Sequence, residues 1–177
     1  MNPVQLKLFS SRVGAICDEM GLVLRRTAFS PNIKDRLDFS CALFGSNGEL
    51  VAQAAHIPVH LGSMAFVMGD LVRQWDWQPG DMVVLNDPFL GGTHLPDVTL
   101  IAPVFEAGGS EHVVDALIGF VANRAHHANI GCDTPGSMPV SSTLAEEGVI
   151  IAPTLLLRGE RVQGTDIPLA DLQGEQL

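Results

Sequence analysis

The hydrophobic period of the chain switches at Asp38, and that switch limits the fold more than any other feature of the sequence. Before it, Phe9, Val13, Ile16, Met20 and Val23 recur at alternating steps of four and three, the spacing of a single helical stripe. Asn2 suits an N-cap and Pro3 a first helical position, whereas Pro31 cannot continue a helix, so a long helix is predicted over residues 3–28. Gly14 and Gly21 weaken it locally and suggest close approach of a neighbour. After Asp38, the runs FSCALF and ELVAQ flank Ser46-Asn47-Gly48, and Asn-Gly between two such runs predicts an antiparallel hairpin.

Helical spacing returns at Leu61, Ala65, Met68, Val72 and Trp75, which predicts a second helix over 62–75 that stops before Gln78-Pro79-Gly80. Short strands are then expected at 82–86, 98–105 and 112–121, the last two joined through Ala107-Gly108-Gly109. The class is α+β: a mainly antiparallel sheet with a long N-terminal helix and a second helix near 62–75. Beyond residue 133 the chain reads PGSMPVSST, then one apolar run, VIIAPTLLL, then GTDIPLADLQGEQL, which closes no domain convincingly. A single domain, incomplete at its C-terminal end, is expected over 1–177.

Composition narrows the partners. Hydrophobic residues make up 46% and charged residues 17%, so some apolar surface is expected to meet another chain. The formal net charge is -10 and no Lys/Arg-rich run is present, which argues against nucleic acid. The three cysteines, Cys17, Cys41 and Cys132, form no CxxC pair and fit a reducing compartment. The N-terminus has no basic segment followed by an apolar core, and no stretch reaches the ~18 apolar residues of a spanning helix. A cytoplasmic protein without membrane contact is the expectation.

All six histidines lie between His56 and His127, and five of them sit in polar junctions rich in Gly or Pro. In NDPFLGGTHLPDVTL, Asp87, His94 and Asp97 fall in a turn between two predicted strands, and the spacing of three lets His94 and Asp97 share one ion. In NRAHHANIGC, His126, His127 and Asn129 follow a predicted buried strand, so only one of the paired histidines should face the same point as His94. Two imidazoles and a carboxylate suit Mn, Fe or Zn, and an ion with an open position acidifies water or polarises a carbonyl. For any one histidine alone, a satisfied loop hydrogen bond is the commoner explanation, with Asp87 and Asp97 capping turns.

Other residues leave two interpretations open. His60, in HIPVHLGSM, either contacts metal or substrate or makes a hydrogen bond at a helix start. Arg26, Lys34, Arg36 and Asp38 form either a polar ridge at a partner interface or a solvated loop, and the interface is favoured. Glu146 and Glu147 are either carboxylates that orient a ligand imidazole or a solvated acidic pair. Cys132 is taken as a packed thiol rather than a ligand. No GxxxxGK[ST] loop or GxGxxG occurs, so ATP would be handled elsewhere, and no Ser-His-Asp grouping can be assigned although Ser137 and Ser141 are present.

Taken together, RTAFSPNIKDRLDFSCALF, HIPVHLGSM, NDPFLGGTHLPDVTL, NRAHHANIG, PGSMP and EEGVIIAP resemble the amino-terminal part of the hydantoinase B family. That family includes the second component of ATP-dependent N-methylhydantoinases and 5-oxoprolinases and a related acetone carboxylase subunit. The resemblance implies a much longer parent protein, a hetero-oligomer with an A-like, ATP-using subunit, and a divalent metal (Mn, Fe or Zn) in the B component. It implies opening of a cyclic amide, with ketone carboxylation or a catalytically silent interaction fragment as alternatives. Carried over by motif, His94 and His126 become metal ligands, with Asp97 a further candidate. Asn129 stands where the family commonly has an aspartate, and an amide oxygen coordinates without bringing charge. The full expectation is a metal set of His94, Asp97, His126 and Asn129, with Asp87, His127 and Glu147 catalytic. His60 and Glu146 are expected to touch substrate or orient a ligand.

Overall fold

The computed structural model describes residues 2–55, 60, 62–106, 116–132, 134, 140–159 and 161–163. His56, the Ala107-Gly108-Gly109 connection, residues 112–115 of the third predicted strand, Ser137 and the tail from 164 lie outside the described residues.

Helix α1 (Pro3–Thr27) begins with a capping box, in which Asn2 accepts from the Gln5 N–H and the Gln5 side chain accepts from the Asn2 N–H. A one-turn helix α2 (Pro31–Lys34), absent from the sequence expectation, follows the break at Ala28. Strands β1 (Phe39–Gly45) and β2 (Leu50–Ala55) form the expected hairpin, and Gly48 sits at φ +82° in its turn. Helix α3 covers Ser63–Leu71 and ends four residues before the expected limit. Its last turn tightens, and the Trp77 indole N–H takes the freed Val72 carbonyl at 2.9 Å, so Trp75 lies beyond the helix.

Strands β3 (Met82–Leu85), β4 (Asp97–Glu106) and β5 (Ala116–His126), the short helix α4 (Leu144–Glu147), and strands β6 (Thr154–Arg158) and β7 (Arg161–Val162) complete the described elements. All seven strands join one antiparallel sheet in the order β2-β1-β5-β4-β3-β6-β7. The run VIIAPTLLL, given no element from sequence alone, supplies β6, which pairs with β3.

Strand alternation divides the sheet into two faces. Ala42, Phe44, Val83, Leu85, Ile101, Phe120 and Ala122 pack under Met64, Met68 and Leu71 of α3, with Trp77 edge-on to Phe120. On the opposite face, Phe39, Cys41 and Ala125 meet Met20 and Leu24 of α1. The buried line of α1 runs through Cys17 and Gly21, while Phe9, Ile16 and Val23 of the expected stripe are about half exposed. Small side chains let the helix backbone settle against the sheet, and that contact outweighs the larger residues one position away.

Candidate metal centre

Three neighbouring strands bring the site together. Asp97 opens β4 and His126 closes β5, and the two residues are direct cross-strand partners. Asp38 immediately precedes β1, and its carbonyl accepts the His126 N–H at 2.9 Å. One step inward, Ser40, Arg124 and Thr99 are also partners across the same strands. Because side chains two apart share a face, these positions form two parallel polar rows on the α3 side of the sheet. The expected end of β5 was residue 121; the strand runs five residues further, and this extension places His126 inside the sheet.

The ligand atoms form a small triangle. His94 Nε2 lies 2.9 Å from Asp97 Oδ1, His126 Nδ1 lies 3.2 Å from the same oxygen, and the two ring nitrogens are 3.2 Å apart. Among the described residues, His94, Asp97 and His126 are the group whose donors come close enough to hold one ion. Such spacings match adjacent ligands at ~2.0–2.2 Å from a common cation. Burial alone pushes the Asp97 carboxyl up, but His126, His60, His94 and the Thr93 hydroxyl outweigh it and hold the group well below the usual carboxylate range. The hydrogen bond to Asp97 raises the His94 pKa; burial opposes this, and the charges of Asp97, Asp38 and Glu147 reinforce it.

Two further groups border the triangle. The Asp38 carboxylate reaches to 3.9 Å from both His126 Nδ1 and His60 Nε2. It therefore faces the site and is not part of an outward ridge. Leu37 makes this possible at φ +58°, a left-handed conformation that branched and bulky residues rarely adopt. His60 is buried, with Nδ1 3.0 Å from Ser40 Oγ and Nε2 3.4 Å from Asp97 Oδ2. That Nε2 has no hydrogen-bond partner of good geometry. A buried polar atom left orphaned beside two carboxylates fits a centre that takes up a cation, as does the nitrogen and oxygen donor set.

The remaining expectations divide. Glu147 accepts from Ser141 Oγ at 3.1 Å and lies near enough to His94 to raise its pKa. Glu146 is exposed and accepts from the Ser142 N–H, a local cap rather than a site contact. Asp87 accepts from the Phe89 N–H at 2.9 Å within its turn, and Asn129 accepts from the Gly131 N–H at 2.8 Å. Both side chains thus accept from N–H groups of their own turns. His127 is exposed, and its N–H donates to the Pro96 carbonyl. Cys132 is a half-buried free thiol.

Sequence reasoning missed the bracing of the His94 loop. Arg124 is buried and donates to Thr99 Oγ1 at 2.8 Å, Ser63 Oγ at 2.6 Å and the Gly91 carbonyl at 2.7 Å. Burial pulls its pKa down, and Asp97 opposes that shift. Asn86 is fully buried, donates to the Leu95 and Val149 carbonyls at 2.8 Å each, and accepts from the Ile151 N–H at 2.6 Å. A Cβ on Gly92 would overlap the Asn86 carbonyl, which ties the loop closely to β3. Gly92→Ala is therefore expected to cost more than about 2 kcal/mol in chemical denaturation. A cost near zero would show that the loop shifts freely.

The fold and this cluster define a hydantoinase B/oxoprolinase domain. A family model of that description matches residues 2–169, and the chain belongs to this family. It is 48% identical over 161 residues to the 5-oxoprolinase of Saccharomyces cerevisiae, an alignment covering 89% of this chain and 12% of that protein. In structure it is similar to the ATP-dependent caprolactamase of Pseudomonas jessenii, with TM-score 0.73, 26% identity, and 92% of this chain against 28% of that one. It also shares its fold with a nucleotide-free acetone carboxylase, with TM-score 0.74, 23% identity, and 92% against 21% coverage. The chain thus spans between about an eighth and about a quarter of these relatives. Among the described residues no helix is long and apolar enough to cross a membrane.

Proposed function

We propose that the chain forms the metal-centred part of an ATP-dependent enzyme that opens cyclic amides of the hydantoin or 5-oxoproline kind. It would act with an A-type subunit that uses ATP. The observation that carries this proposal is the triangle of His94, Asp97 and His126, with donors 2.9 to 3.2 Å apart. The similarity to a 5-oxoprolinase supports the substrate class, and the absence of a phosphate-binding loop from the sequence supports an ATP site elsewhere.

A divalent cation held by His94, Asp97 and His126 would supply Lewis acidity towards a carbonyl or a water molecule. Asp97 contributes the negative charge that balances it. His94, with 31% of its side chain exposed against 14% for His126 and 1% for Asp97, marks the side from which substrate approaches. Arg124 fixes the Gly91 carbonyl and so the course of the loop that carries His94. Glu147 adds negative charge near His94 at that open edge.

Purified protein is expected to retain about one equivalent of Mn, Fe or Zn. His94→Ala and His126→Ala should each weaken retention by more than about 100-fold, beyond the range for loss of a group that only orients a ligand, and lower turnover in the complex reconstituted with an A-type subunit in parallel. Unchanged metal content in both variants would overturn the assignment.

A second reading, an interaction module without chemistry of its own, draws on the exposed Phe29, Phe66 and Phe89, each more than 80% accessible. Sedimentation with and without an A-type partner tests it. A chain that stays monomeric alongside that partner would count against it.

A further inference from the structure

We propose that His60 is a positioning residue for the metal centre, one that turns the two carboxylates beside it so that their inner oxygens face the ion; this rests on the metal-centre reading above. The oxygens sort cleanly into two sets. Asp97 Oδ1 faces His94 and His126, while Asp97 Oδ2 faces Thr93 Oγ1 and, at 3.4 Å, His60 Nε2. Asp38 divides in the same way, with Oδ2 3.9 Å from His126 Nδ1 and Oδ1 3.9 Å from His60 Nε2. His60 thus addresses the outer oxygen of each acid, and His126 addresses the inner one.

The tautomer of His60 follows from its partners. A nitrogen lone pair aimed at two carboxylates would repel both, so Nε2 carries the hydrogen and Nδ1 accepts from the Ser40 hydroxyl. Ser40 belongs to the polar row one step inside the ligands and is itself buried, so the imidazole is held from behind by a strand. His60 Nε2 has no hydrogen-bond partner of good geometry, which is unfavourable for a buried donor. With the inner oxygens of Asp38 and Asp97 turned to a cation, their outer oxygens would remain acceptors within reach of the Nε2–H. His60 orients the ligands without being one.

This arrangement separates positioning from a merely structural role. His60→Leu removes the Nε2 contact to Asp97 and leaves the buried Ser40 hydroxyl without its partner, so some metal-free stability is lost and the metal affinity is the readout that discriminates. The dissociation constant for Mn2+ should rise by about tenfold or more, as for other groups that orient ligands. His60→Gln keeps an N–H near the Nε2 position and should bring the constant back to within about threefold of wild type. Ser40→Ala, which frees the ring without removing it, should fall between the two. Pulsed electron paramagnetic resonance of bound Mn2+ should count two coordinated imidazoles in wild type and in His60→Leu alike.

A lower metal-free melting temperature in His60→Leu with unchanged Mn2+ affinity would overturn the proposal in favour of a packing role. Three imidazoles in wild type falling to two in His60→Leu would overturn it in favour of direct coordination. Should His60→Leu fail to fold, a His60→Gln affinity as weak as that of a protein with no ligand-orienting donor, at least tenfold below wild type, would overturn it as well. Wild-type protein that binds no Mn2+ would remove the metal-centre reading and this one together. Wild-type binding with unaltered affinity in all three variants would remove the positioning role alone.

Discussion

Asp97→Ala should raise the dissociation constant for Mn2+ by more than about 100-fold, beyond the range seen when only an orienting group is lost. The carboxylate lies at the centre of the cluster, with one oxygen within 3.2 Å of both ring nitrogens of the triangle, and it is buried. Removing it withdraws the charge that balances the cation and leaves His60 and Thr93 facing a void. Calorimetric titration of Mn2+ into wild type and variant checks this, and a loss smaller than tenfold would mean that Asp38 or another group is the main anionic ligand. The same substitution has a pH signature in the metal-free protein. Since Asp97 titrates below its ordinary value of 3.8, its contribution to stability is present above that value and drains away as the pH falls beneath it. His94 has the opposite sign: its raised pKa gives stability below its ordinary value of 6.5, lost as the pH climbs through the raised one. Asp97→Ala should therefore flatten both limbs of the stability curve, because the His94 shift depends first on Asp97.

Asn86→Ala should destabilise the metal-free protein by about 3 to 5 kcal/mol, since it leaves two buried carbonyls and one N–H without partners. The amide uses both N–H donors and its oxygen on Leu95, Val149 and Ile151, joining the loop before β4 to the segment that leads into β6. Leu95 adjoins His94 and Val149 follows Glu147 by two residues, so the same change should also weaken metal binding. Urea denaturation gives the first quantity, and a loss below about 1 kcal/mol would show that water replaces the side chain at little cost.

Much of the scaffold was legible because its signals are local. The cap at Asn2, the Asn-Gly turn and the spacing along α3 each depend on neighbours a few residues away, and each element forms where its pattern places it, although α3 stops four residues early. The line of burial on α1 was misplaced because Cys17 and Gly21 look unremarkable until a sheet lies against them. The apolar run that forms β6 carries no mark of which strand it joins. At the site, His94, Asp97 and His126 could be picked out by residue type and motif, whereas Asp38 was hidden in a stretch of charges. Its role depends on pairing between β1 and β5, more than seventy residues apart in the chain. Arg124 was overlooked because arginine is ordinarily a surface residue, and its burial depends on three acceptors from three separate segments. Asn129 entered the ligand set by its place in a motif, and here its amide oxygen accepts from its own turn.

The direct pairing of Asp97 with His126 would make a bound cation a proofreader of the fold. A slip of one residue between the two longest strands would send one of these side chains to the opposite side of the sheet, and the cation would find half a binding site. A newly made chain whose strands had aligned incorrectly would not be captured by metal, so loading would select the correctly zipped molecules from the population.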